Sequence, residues 1–70
     1  MKEYLVVFEQ AEDGAWGAGS PDIEGVYAFG ATREETAELM REALAAHIEA
    51  LREAGLDVPE PMHHAQYIAA

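Results

Sequence analysis

The chain has 70 residues, half of them hydrophobic, no cysteine and a net charge of −10. Its length allows a single small domain, its apolar content argues against disorder, and the absence of cysteine excludes disulfide bonds and thiolate metal sites. Fourteen acidic residues against four Lys and Arg residues disfavour nucleic-acid binding and favour either a basic protein partner or simple solubility.

Three short β-strands are predicted before residue 31. Residues 4–10 are rich in Tyr, Val and Phe, and both of their alternating faces are largely apolar, which is typical of a central strand. A turn at residues 11–14 leads into a returning strand at residues 15–20, which holds Trp16 and two glycines. A loop over residues 20–25 then precedes a third strand at residues 26–30.

One long amphipathic helix is predicted to begin after the N-cap Thr32 and to end at Gly55. Its apolar positions recur at steps of three and four residues, so they share one face, and its glutamates share the opposite face. The predicted core face contains Ala37, Met40, Leu44, His47, Ile48 and Leu51. The predicted solvent face contains Glu35, Glu38, Glu42, Glu49 and Glu53.

A last strand is predicted at residues 65–69, after an extended linker in which Pro59 and Pro61 prevent a helix. The predicted fold is therefore α+β, a two-layer β-β-β-α-β domain over residues 1–70. Its mixed four-stranded sheet has the order 3-2-1-4, with the helix on one face and a right-handed connection to the fourth strand. One helix covers only one face of such a sheet, so we expect a second copy or a partner to cover the other.

The residues offer little sign of catalysis. His47 lies on the predicted core face and is interpreted as a packing residue, while His63 and His64 are adjacent and point to opposite faces if they lie on a strand. The helical glutamates are interpreted as a solvated face. We therefore predict no catalytic residue, no cofactor and no metal site.

A line of small residues beside the core face indicates either close approach of another backbone or plain helix propensity; it contains Leu39, Ala43, Ala46 and Ala50.

The loop before the third strand is a candidate docking point. Asp22 and Glu24 flank Ile23, and acidic groups around an exposed apolar residue suit a basic partner, although Asp22 equally fits ordinary turn chemistry. Together with two nearby aromatic residues they form the predicted partner-binding set, which contains Trp16, Asp22, Ile23, Glu24 and Tyr27.

The chain resembles the HicB family of bacterial antitoxins along almost its whole length. The resemblance is carried by the first strand at residues 4–9, the segment Gly14-Ala15-Trp16-Gly17-Ala18, and the loop Ser20-Pro21-Asp22-Ile23-Glu24-Gly25. It continues through the helix entry Gly30-Ala31-Thr32 and the following residues, the helix run at 41–48, and the exit Pro59-Glu60-Pro61. Glu24 and Val26 replace the proline and cysteine that are frequent at these two positions in the family.

The resemblance implies a partial ribonuclease H-like fold without ribonuclease chemistry. It implies an antitoxin that neutralises a small basic HicA-type toxin, an enzyme that cleaves messenger RNA, by covering its active surface. It also implies a homodimer or higher homo-oligomer. Independently of the resemblance, the absence of cysteine suits the cytoplasm, and no apolar run is long enough for a membrane helix, so we expect a cytoplasmic protein without membrane contact. Many members carry a C-terminal DNA-binding domain; we expect none here, and no direct binding of nucleic acid.

Two other functions are compatible with these residues. One is a solitary dimeric module, structural or binding a small ligand, that lacks a toxin partner. The other is a metal-dependent hydrolase descended from the same fold, which would require a divalent ion.

Overall fold

A computed structural model describes residues 2–70 and contains three β-strands followed by one α-helix. The strands are β1 (Val7–Gln10), β2 (Trp16–Ser20) and β3 (Ile23–Gly30), and the helix is α1 (Arg33–Glu53). The strands form an antiparallel sheet in the order β1-β2-β3. The helix crosses one face of this sheet, so the predicted α+β class and the predicted meander are both confirmed.

Helix α1 begins and ends where its capping residues predict. The Thr32 hydroxyl accepts from the Glu35 backbone N–H at 3.1 Å, which pairs one of the N–H groups that the first turn leaves free. Ala54 closes the last turn, and Gly55 follows with φ +72°, a left-handed conformation that glycine adopts without a steric penalty. The five glutamates predicted to face solvent are all exposed.

The core lies between α1 and the inward-facing residues of β2 and β3. Ile23 and Met40 are each 1% exposed, and burying a side chain of this size stabilises the fold by about 1.5–3 kcal/mol. Ala18, Val26 and Ala28 complete the buried cluster. Beside it, Leu44, His47, Ile48 and Leu51 are half-buried as predicted, whereas Ala37 is exposed.

Thr36 occupies the core position that the sequence pattern gave to Ala37. The Thr36 side chain is fully buried, and its hydroxyl donates to the Thr32 carbonyl oxygen at 2.8 Å. It packs against Gly30, where an added Cβ would lie 2.6 Å from the Thr36 hydroxyl oxygen. The missing side chain at Gly30 therefore lets the first turn of α1 approach the end of β3.

Strand β3 begins three residues earlier than predicted. The sequence pattern assigned residues 20–25 to a loop, but only Pro21 and Asp22 form the turn, and Ser20 already pairs with Ile23. The register shifts between Gly19 and Ser20, and this irregularity directs Ile23 into the core. Burial of Ile23 explains why the strand starts there.

The fourth strand predicted at residues 65–69 is not formed, and β1 is an edge strand rather than a central one. Residues 65–67 do lie beside residues 5–8, with which they line a common groove. However, Tyr67 is fully exposed and Ile68 is 78% exposed. Because neither large side chain buries apolar surface, nothing fixes this segment in register against β1. The strand β1 is correspondingly shorter than predicted and begins at Val7.

We predict that Met40→Ala lowers the free energy of unfolding by about 2–5 kcal/mol, because it removes the most buried hydrophobic side chain of the helix. Met62→Ala is the matched control, since Met62 is 75% exposed and its loss should change stability by no more than about 0.5 kcal/mol. Denaturant unfolding followed by circular dichroism measures both. Equal effects of the two substitutions would contradict this packing.

Candidate partner-binding surface

The face of the sheet that points away from α1 is uncovered and largely apolar. Because side chains alternate along a strand, this outer face receives alternate residues of the regular parts of the three strands. They are Val7, Glu9, Gly17, Gly19, Tyr27 and Phe29; the register shift near Ser20 breaks the alternation at the start of β3. Tyr27 is 65% exposed and Phe29 is 74% exposed. Contiguous exposed apolar patches on a small soluble protein mark sites of interaction.

The two aromatic rings lie across the glycines of the neighbouring strand. In the β2–β3 register Gly17 pairs with Phe29 and Gly19 pairs with Tyr27. A Cβ added at Gly17 would lie 3.3 Å from the Phe29 ring, and one at Gly19 would lie 3.2 Å from the Tyr27 ring. The glycines thus leave the space that the rings occupy, and the outer face is flat enough for another surface to pack on it.

The outer face carries little charge compared with the rest of the molecule. Its groove, of about 410 Å³, extends to Ser20 and Pro21, and among the described residues Glu9 is the single charged one that lines it. Glu24 is exposed at the start of β3. An apolar surface with acidic groups at its margin suits a partner that presents apolar and basic side chains.

The structure does not place the five predicted partner-binding residues on one surface. Tyr27 lies on the outer face and Glu24 is exposed near one end of it, whereas Trp16 is half-buried on the helix side of β2. Ile23 belongs to the core and is 1% exposed. Asp22 is covered by the C-terminal segment, residues 56–70, as described next.

Asp22 binds His63 across 41 positions of sequence. The His63 ring Nδ1 lies 2.6 Å from one carboxylate oxygen of Asp22, and the His63 backbone N–H donates to the other at 3.1 Å. The Asp22 side chain is only 5% exposed as a result. The hydrogen bond from the His63 ring lowers the pKa of Asp22 below its ordinary value, although burial partly opposes this shift. Asp22 therefore anchors the C-terminal segment.

Two further contacts hold the C-terminal segment against the N-terminal residues. The Tyr4 hydroxyl donates to the Pro59 carbonyl oxygen at 2.6 Å, and Lys2 pairs with Glu60 at 2.8 Å. The segment is thus attached at three points without forming regular structure. Its last apolar side chains, Tyr67 and Ile68, remain exposed.

The other polar groups of the described chain include two further histidines and one ion pair. Within residues 2–70, no three His, Asp or Glu side chains are arranged to hold a metal ion. His47 is half-buried against the core as predicted, and His64 is exposed. The pKa of Glu38 is lowered and that of Arg41 raised by their mutual hydrogen bond, an ion pair between neighbouring turns of α1. Of the described residues, none forms a helix long and apolar enough to cross a bilayer.

Comparison with known proteins identifies the family. Residues 4–70 match the family described as HicB_like antitoxin of bacterial toxin-antitoxin system. The chain belongs to the HicB-like antitoxin family. Its fold is similar to the crystal structure of the N-terminal domain of the Burkholderia pseudomallei antitoxin HicB, with a TM-score of 0.71 and 34% sequence identity. No curated protein sequence matches the chain significantly.

The HicB match covers 76% of this chain and 62% of the Burkholderia chain. This HicB-like chain therefore spans less than two thirds of the length of that relative. The resemblance inferred from the sequence motifs is confirmed at the level of the family and of the α+β architecture.

Sequence reasoning missed Phe29, Val7 and Glu9 as members of the outer face. Alternation along the strands could have found them, because Phe29 follows Tyr27 by two residues and shares its face. The Asp22–His63 contact had no comparable local signal, since it joins two segments that are 41 positions apart.

We predict that the pKa of Asp22, measured by NMR titration of its side-chain carboxyl carbon, lies below 3.8. His63→Ala should return it towards that value, while His64→Ala should leave it unchanged. Because the folded-state pKa is lowered, Asp22 stabilises the fold above its unfolded-state pKa, and this contribution is lost as the pH falls through the lower folded-state value. An unchanged pKa in His63→Ala would contradict the contact.

Proposed function

We propose that this HicB-like protein is a non-enzymatic antitoxin that neutralises a small basic HicA-type toxin in the cytoplasm. It would do so by covering the surface with which the toxin binds and cleaves RNA. Membership of the antitoxin family supports the class of function. The mode of binding is supported by one observation: a strongly acidic molecule leaves an aromatic face of its sheet uncovered.

The outer face would supply the buried part of the toxin interface. Tyr27 and Phe29 are large, exposed and held flat by the backbone beneath them, so they lose little freedom when a partner covers them. Aromatic residues at the centre of an interface commonly dominate its binding energy. Glu9 and Glu24 would pair with basic side chains at the margin.

The remaining predicted contact residues would act indirectly. Ile23 and Asp22 fix the turn between β2 and β3, Ile23 from the core and Asp22 through His63. They would therefore hold Glu24 and Tyr27 in position rather than contact the toxin. Trp16, half-buried on the opposite side of the sheet, would support the outer face from below.

The decisive experiment is to look for a small basic protein encoded beside this gene, coexpress the two, and follow with copurification and an RNA-cleavage assay. Formation of a stable complex and loss of RNA cleavage are the expected results. Failure of the two purified proteins to bind even at low salt would overturn the proposal.

We predict that Tyr27→Ala weakens binding of the toxin by tenfold or more, roughly the loss of one well-buried aromatic contact. Tyr67→Ala is the matched control, because Tyr67 is an exposed tyrosine on the C-terminal segment and should leave affinity unchanged. Isothermal titration calorimetry measures both. Equal affinities of the two variants would place the toxin elsewhere.

We also predict that the association rate with the toxin falls as salt is raised, because a −10 chain and a basic partner attract each other at long range. The dissociation rate should change little, since apolar contacts hold the complex. Stopped-flow mixing at several salt concentrations separates the two rates. An association rate independent of salt would contradict electrostatic steering.

The alternative of a solitary ligand-binding module has one observation in its favour. The groove of about 410 Å³ on the outer face falls within the size range of small-molecule sites. A homodimer that closes this face, in an organism lacking a toxin gene beside this one, would support the alternative.

A further inference from the structure

A groove along α1 contains most of the positive charge of this acidic protein. The chain has four Lys and Arg residues against fourteen Asp and Glu residues. Three of the four cations line the groove, namely Lys2, Arg41 and Arg52, and among the described residues Glu49 is the single acidic one that lines it. The sign of the charge is therefore reversed at this place, which we call the cationic groove.

Helix α1 forms one wall of the cationic groove. Arg41 and Arg52 lie about 16 Å apart along the helix axis and about 20° apart around it, so they share one line of the helix surface. Leu44 and Ile48 lie between them on the same side and also line the groove. The helix thus presents two cations that are separated by an apolar stretch.

The opposite wall is formed by N-terminal residues and the C-terminal segment. Tyr4 and Val58 line this wall, and the bond from the Tyr4 hydroxyl to the Pro59 carbonyl oxygen at 2.6 Å holds the two segments together. Tyr4 and Val58 are half-buried, as are Leu44 and Ile48. The groove between these walls encloses about 700 Å³, which falls within the size range of small-molecule sites.

Arg52 is the cation of the groove that keeps its side-chain donors available. Lys2 pairs with Glu60, and Glu38 accepts from Nε and one terminal nitrogen of Arg41. Within residues 2–70, no hydrogen bond or ion pair joins the side chain of Arg52 to another residue. Its guanidinium can therefore donate two parallel N–H bonds to a carboxylate.

We propose that the cationic groove binds an alkyl monocarboxylate, with the carboxylate on Arg52 and the alkyl chain along Leu44 and Ile48. Burial of these half-exposed side chains by the alkyl chain would supply the hydrophobic part of the binding energy. The site is separate from the surface proposed for the toxin, because the outer face points away from α1. In the described chain, the two grooves share no lining residue.

The distribution of charge selects this class of occupant. A basic partner would meet three positive charges in the groove. A polyanion such as nucleic acid would be repelled by a chain of charge −10 more strongly than a single anion, and its phosphates would gain nothing from the apolar walls. Anionic membrane surfaces are disfavoured for the same reason. A monoanion with an alkyl chain uses both the guanidinium and the apolar walls.

The test titrates the isolated chain with sodium decanoate, below its micelle-forming concentration, by isothermal titration calorimetry. The chain should bind one decanoate, and Arg52→Gln should weaken binding about tenfold through loss of the charged donors. Arg33→Gln is the matched control, because it removes the same charge outside the groove. Arg33 lies over the ring of Phe8, 4.9 Å from its centroid, and its substitution should leave the affinity unchanged.

A second pair of variants locates the alkyl chain. Ala45 and Ala46 are exposed neighbours on α1, but only Ala45 lines the cationic groove. Ala45→Glu places a carboxylate against the ligand and should weaken binding at least tenfold, whereas Ala46→Glu should bind as the wild-type chain does. Circular dichroism checks that all variants keep their helix. In methyl NMR spectra, decanoate should shift the signals of Ile48 and Val58.

Decanol tests the part played by the charge, because it keeps the alkyl chain and lacks the carboxylate. It should bind at least tenfold more weakly than decanoate. Equal affinities of the alcohol and the acid would overturn the proposal, as would equal affinities of Arg52→Gln and Arg33→Gln for decanoate. Unshifted methyl signals, or binding to anionic lipid vesicles alone, would also overturn it. These measurements use the isolated chain, so their failure would leave the proposed toxin binding untouched.

Discussion

The packing of one helix on one sheet governs the behaviour of this protein. Helix α1 seals the inward face through Met40 and Thr36, which meet Ile23 and the end of β3. A single helix about 30 Å long can cover only one face of the sheet. Tyr27 and Phe29 on the other face therefore remain exposed. A chain of 70 residues buries a smaller fraction of its surface than a larger domain. Association is the physical means by which such a chain gains further burial.

The acidic charge and the apolar face have separate roles in this account. Glutamates cover the outward side of α1, while the outer face keeps Glu9 and little else that is charged. Long-range attraction would bring a basic toxin towards the molecule, and the aromatic face would hold it.

Local signals predicted local structure well. The Thr32 cap, Gly55 and the spacing of apolar residues located α1 within two residues at each end, and the turn predicted at residues 11–14 located β2. Contacts distant in sequence were harder to predict. Ile23 was assigned to an exposed loop because the register shift that buries it depends on pairing with Ser20. Asp22 was expected at a partner surface because it flanks Ile23 in the predicted loop. Its hydrogen bond to His63 could not be predicted, since it forms only when the C-terminal segment folds back onto the turn. The fourth strand was expected because Tyr67 and Ile68 have high β-strand propensity. Both side chains remain exposed, so no burial of apolar surface stabilises a strand there.

The central claim is that the outer face of the sheet is open in the isolated protein and covered by the toxin. Hydroxyl-radical footprinting with mass spectrometry tests it at single residues, since Tyr27, Phe29 and the control Tyr67 are all exposed aromatic residues. All three should be oxidised rapidly in the isolated chain, and only Tyr27 and Phe29 should be protected in the complex. Unchanged oxidation of Tyr27 and Phe29 in a fully formed complex would contradict the account.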